Sequence, residues 1–212
     1  MVQVSTSLAA EPLRGEFQLL PEPIEFTVLD EDYSEDEDYS ESEENSALID
    51  DARWIFSGMI YGYVVNWVPP FNDRRIKEKF KIELVAQIPM RDEKLKTLSI
   101  NKIDGTTYVL MEYSSDSTQQ KRLEAWKSPS FPFTAGEGSS PIMGGSRREA
   151  LEMAIKEAMK NYLTKREFNR PQSIQARVLL TKFPQIGFNN GEYRALVGIR
   201  MNLDIVRDYE ID

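Results

Sequence analysis

The 212-residue chain contains no cysteine and no histidine, so the side chains able to do chemistry are carboxylates, lysine, tyrosine and serine. That composition excludes a disulfide framework, a thiol nucleophile, a Cys/His zinc site, haem ligation by histidine and a Ser-His-Asp relay. Carboxylate pairs such as Asp50 with Asp51 and Asp92 with Glu93 are available. Neighbours in sequence do not converge in a way that drives their pKa values apart, which a general acid and its base require. No residue is nominated as catalytic, metal-binding or cofactor-binding, and no cofactor is expected.

Two stretches could bind rather than react. Gly136 to Gly145 leads into a helix N-terminus carrying Arg147 and Arg148, where free amides and two cations could hold an anion. The Gly-Lys-Ser/Thr ending of a phosphate-binding loop is missing, so a flexible loop ending in a helix cap is the preferred reading. Trp126, Phe131 and Phe133 lie beside Lys121, Arg122 and Lys127, a mixture that can stack bases or grip a peptide. The preferred reading has them fold back to cover a sheet edge, since aromatic residues near prolines are usually packing residues. Trp126, Phe131, Phe133, Arg147 and Arg148 are the candidate partner-binding residues. The stripe Tyr61, Tyr63 and Trp67 reads as core rather than a ligand groove, and Lys77, Lys79 and Lys81 as a solvated strand face.

Charge divides the chain. Asp and Glu number 35 against 26 Lys and Arg, yet residues 1–45 hold 14 of the acids and one base, Arg14. Residues 46–212 hold 21 acids and 25 bases, a body near +4, which supplies no long track for phosphate and argues against nucleic acid as a partner. Ten of the fifteen residues from Asp30 to Glu44 are acidic, and Asp32-Tyr33-Ser34-Glu35 recurs as Asp38-Tyr39-Ser40-Glu41. Like charges at this density repel and leave nothing to bury. Residues 30–45 are therefore read as a disordered acidic linker, dispensable for folding, behind an extended segment, 1–29, in which Ile24 to Val28 could add an edge strand. Ser7-Leu8-Ala9-Ala10 resembles the tail of a secretory signal without its front, and no stretch has the length and apolarity of a transmembrane helix.

The elements that must position the candidates follow from periodicity. Ser46 caps a helix with Leu48, Ala52, Ile55, Phe56 and Met59 on one face. Period two follows from Met59 to Trp67 and again from Ile76 to Ile88, where Glu78 is the one lapse. Asp104-Gly105 suits a hairpin turn. Ser146 to Glu149 reads as a capping box opening a helix that sets Leu151, Ala154, Ile155 and Ala158 on one face. A final hairpin turns at Asn190-Gly191, with alternate apolar residues from Tyr193 to Ile205 against Ile174 to Leu180. The expected fold of residues 46–212 is one α+β domain, an antiparallel sheet of about six strands with two helices packed on one face.

The portion from Ser146 to Asp204, with Ala150, Ala154 and Ala158 before Ile174 to Leu180 and Gly191 to Ile199, resembles the helix-plus-hairpin unit of small bacterial envelope lipoproteins and flagellum-associated outer-membrane proteins. Ser57 to Gly62, followed by Trp67 to Arg75, is similar to uncharacterised envelope proteins of spirochaetes. The resemblance implies a non-catalytic binding or structural module of the cell envelope, periplasmic or envelope-associated, with another protein as partner. The alternatives are an enzyme using carboxylate or lysine chemistry, and a cytoplasmic location.

Overall fold

A computed structural model describes residues 11–19, 37–70, 75–164 and 172–208. Along the chain run β1 (Leu13–Leu19), α1 (Glu37–Ile60), β2 (Tyr63–Val68), β3 (Lys79–Leu84), β4 (Leu95–Ile103), β5 (Thr106–Tyr113), α2 (Ser117–Trp126), β6 (Phe133–Pro141), α3 (Arg147–Thr164), β7 (Gln172–Leu180), β8 (Gln185–Asn189) and β9 (Glu192–Asp208). The strands make two antiparallel sheets. The smaller has the order β1-β5-β4, and the larger β3-β2-β7-β9-β6 with β8 also paired to β9. The class is α+β as expected, with nine strands and three helices among the described residues in place of about six and two.

Helix α1 is the centre of the molecule. Its apolar face was legible, but every residue from Ala52 to Ile60 is buried, because sheets cover it on two sides. Toward the larger sheet, Trp54 packs on Tyr63, and the Tyr63 hydroxyl donates to the Trp54 carbonyl at 3.2 Å. Toward the smaller, Phe56 packs on Tyr113. At Gly58 the Tyr63 ring crosses the helix, and any Cβ there would overlap that ring. The helix ends at Ile60, and two residues on Gly62 takes a positive φ of 80°, a conformation that favours glycine.

The N-terminal boundary differs from the expectation. Helix α1 starts at Glu37, not at a Ser46 cap, so residues 37–45 of the supposed disordered linker are helical. Extending a helix already nucleated by a buried half costs little, and acidic residues suit its N-terminal end. The remainder of that linker and the strand expected at Ile24 to Val28 lie outside the described residues. Strand β1 pairs with β5 along its whole length, and Phe17 is 1% exposed, packed edge-on against Phe183 at 5.1 Å. The core therefore includes residues before Ser46.

Two further strands were missed. Residues 133–141, read as loop, form β6, because Gly136 and Gly138 are there to let α3 approach. A Cβ on Gly136 would overlap the backbone of Ala154 and Ala158, and one on Gly138 that of Ala150 and Ala154. The Asn190-Gly191 turn joins β9 to β8, not to β7, which pairs with the distal half of β9 instead. At the start of α3, Ser146 Oγ accepts from the Glu149 amide at 3.1 Å as expected. The reciprocal half of the box is replaced: the Ser146 amide donates to Ser140 Oγ, whose hydroxyl donates to Glu149 at 2.7 Å. The lapse at Glu78 has a cause as well, since its carboxylate accepts from the Trp67 indole and from Lys156 of α3, both at 3.0 Å.

Two substitutions test this architecture. Phe17→Ala should cost about 3–5 kcal/mol in denaturant unfolding; a loss within error of zero would mean that residues 46–212 fold without β1. Gly138→Val meets helix backbone that cannot step aside, so a loss of roughly 1–3 kcal/mol is expected, and an unchanged midpoint would show that α3 does not pack this closely.

Candidate functional site

Helix α2, which periodicity did not reveal, frames a largely apolar cleft. Its N-cap is Asp116, whose carboxylate accepts from the amides of Thr118 and Gln119, while the Gln119 side-chain oxygen accepts from the Asp116 amide. The same box holds Asp116 ionised: the Gln119 amide and then Lys94, at 3.1 Å, keep its pKa below the ordinary value. Gln119 is 6% exposed, and its amide nitrogen donates to the hydroxyls of Tyr61 at 2.7 Å and Tyr113 at 3.2 Å. Tyr113 in turn donates to Asp92 at 3.1 Å. Burial is the chief reason that the Tyr113 pKa is raised, so the phenol stays protonated as that bond needs. One buried amide thus fastens α2 to the turn after α1 and to β5, with the Arg122 guanidinium 5.3 Å from the Tyr61 ring centre on the outside.

So held, α2 overhangs the end of the larger sheet and leaves a cleft of about 410 Å³. Leu123 and Trp126 of α2, Met59 of α1, and Leu179 and Leu180 of β7 are among its lining, with Arg200 of β9 on the wall. Arg200 stands between Leu179 and Phe133 in the cross-strand register of β7, β9 and β6. Its Nη1 donates to the carbonyls of Phe131 at 2.7 Å and Ser128 at 3.3 Å. Those bonds tie the loop after α2 to the sheet.

Three of the five candidate residues meet at this place. Trp126 and Phe131 pack ring to ring at 4.5 Å, and Phe133, 58% exposed, lies across the strand pair from Arg200. Arg147 and Arg148 belong to another neighbourhood, the start of α3, where both approach Asp51 at 3.9 Å. Arg148 also lies over Trp54, and Arg147 over Tyr193. Burial raises the Asp51 pKa, and the two arginines work against that rise. Arg147 Nη1 is buried without a partner, and the adjoining void of about 10 Å³ has room for one water, not an anion. Arg200 went unnoticed because it sat in a strand as one polar alternate position among five. Its distinguishing feature, the Ser128–Phe131 loop folding onto it, is tertiary.

Among the described residues no group of three or more acidic side chains could hold a metal ion, and no helix is long and apolar enough to cross a membrane. The fold and cleft define an α+β protein built around one buried helix. A family model matches residues 9–209, so the chain belongs to that family, an uncharacterised one. An uncharacterised protein of Treponema pallidum (strain Nichols) is 18% identical over 165 residues, 74% of this chain and 67% of that protein. These matches support the likeness to an uncharacterised spirochaete protein. No solved structure matches.

The anchoring of α2 can be tested directly. Gln119→Leu keeps the volume but removes the donor shared by the Tyr61 and Tyr113 hydroxyls and the acceptor of the Asp116 amide, so it should lose about 1–3 kcal/mol of stability and raise the exposure of Trp126 to a collisional quencher. A variant with wild-type stability and unchanged quenching would show that the amide does not hold the helix.

Proposed function

We propose that this chain is a non-catalytic binding module of the bacterial cell envelope, periplasmic in location, with another protein as its partner. One observation carries the binding half of this reading: Phe133 is held 58% exposed on a paired strand, next to Arg200 and the Trp126–Phe131 pair. An aromatic side chain on a rigid strand costs little entropy to immobilise further, and aromatic residues with arginine dominate the contacts that carry binding energy. Support for the envelope half is the resemblance of residues 146–204 to small envelope lipoproteins and flagellum-associated proteins, and of residues 57–75 to spirochaete envelope proteins.

A photo-crosslinking residue at position 133, in cells that make the protein naturally, should yield one discrete adduct in the periplasmic fraction. The same residue at Lys81, on the exposed face of β3, should yield none. Equal labelling from both positions, or adducts confined to the cytoplasmic fraction, would contradict the proposal.

A further inference from the structure

We infer that the cleft under α2 binds a small ligand with an apolar body and a single carboxylate, the carboxylate being taken by Arg200. The cleft's volume of about 410 Å³ falls in the range of small-molecule sites, roughly 300–1,000 Å³. Its lining is dominated by Met59, Leu123, Trp126, Leu179 and Leu180, which favours a ligand body without hydrogen-bonding groups of its own.

The polar groups on the wall sharpen the choice. The Gln120 amide nitrogen donates to the Ser115 carbonyl at 3.0 Å, Thr181 Oγ1 to the Gly198 carbonyl at 3.0 Å, and Lys127 to Glu124 at 2.5 Å. Each of these donors already has a partner within the protein, which makes them weaker anchors for a ligand than a cation without a carboxylate partner. Arg200 differs. Its Nη1 is committed to two neutral carbonyls, and among the described residues no carboxylate lies within ion-pairing distance of it and no acceptor is hydrogen-bonded to Nε or Nη2. That free side of the guanidinium is the fork that takes a carboxylate through two parallel bonds. Glu11 and Glu124 also border the cleft, but both side chains are exposed, and Lys127 already neutralises Glu124.

The cleft shares Arg200 and Trp126 with the surface proposed for the protein partner, but the test reads small-ligand affinity and leaves Phe133, on which the partner reading rests, unchanged. Decanoate and decyltrimethylammonium share an apolar chain and differ in charge. Titrated into the full chain by calorimetry, decanoate should bind at least about tenfold more tightly, the weight of one charge-assisted hydrogen bond or more. Trp126 emission should shift on binding, since Trp54 and Trp67 are only 6% and 5% exposed. Arg200→Gln should erase the preference by weakening decanoate, while the cation, relieved of a like charge, binds at least as well as to the wild type. Because Arg200 also bonds the Ser128–Phe131 loop, Leu123→Glu provides a second variant that leaves those bonds alone, and it should reverse the preference. Equal affinity of the wild type for both amphiphiles, a preference that survives in both variants, or no binding of either compound would overturn the inference.

Discussion

A stretch of helix buried on all sides must dispose of every polar atom it carries, and the Ala52–Ile60 half of α1 carries two polar side chains into the core. Arg53 is 8% exposed and Ser57 fully buried. Both are satisfied by the backbone of one residue, Ile88: its carbonyl accepts from Arg53 Nε at 3.1 Å and Nη2 at 3.0 Å, and its amide donates to Ser57 Oγ at 2.9 Å. The third arm of Arg53 reaches Asp50 at 2.7 Å. An unpaired guanidinium at this depth would cost several kcal/mol, so the segment after β3 cannot drift from α1 while the core stays closed. Ile88 itself is fully buried, which adds an apolar anchor to the polar one.

That tether reaches the candidate site through short steps. Holding Ile88 places Asp92 four residues on, where it accepts from the Tyr113 hydroxyl and from the Lys94 amide. Tyr113 and Tyr61 receive the Gln119 amide, Gln119 belongs to the cap of α2, and α2 forms the roof of the cleft. Beyond the short run of chain from Ile88 to Asp92, the side-chain links through Asp92, Tyr113, Tyr61 and Gln119 are hydrogen bonds between buried or half-buried groups, where the lower dielectric makes them stronger and their loss more costly than at the surface. The cleft is thus part of the core's polar wiring, not a gap between mobile loops.

How much of this was readable depended on whether a pattern was local. The apolar positions of α1 and α3, the turn at Asp104-Gly105 and the alternation of β9 were legible because each follows a backbone period, and all of them fall where expected. Strand β6 was not, because its sequence is dictated by its neighbour: Phe-Thr-Ala-Gly-Glu-Gly-Ser-Ser-Pro reads as a loop until Ala150, Ala154 and Ala158 are known to press on its glycines. Helix α2 failed for the related reason that its one buried residue is a glutamine. Trp126, Phe131 and Phe133 stood out by type, whereas Arg200, which links them, did not, since an arginine on a strand's polar face looks the same whether or not a loop closes over it.

The contrast between Arg200 and the pair Arg147 and Arg148 shows why residue type alone does not locate a binding site. All three are arginines beside aromatic rings or their loops. At the start of α3 the positive charge meets Asp51 and lies over Trp54 and Tyr193, so a bound anion would have to compete with a carboxylate already in place. At the end of the larger sheet the guanidinium meets, among the described residues, only carbonyl dipoles, which orient it without neutralising it. In a body whose charges nearly balance, a cation fixed by neutral acceptors beside an apolar concavity retains most of its attraction for an anion, and this difference in partners, rather than the number of arginines, separates the two places.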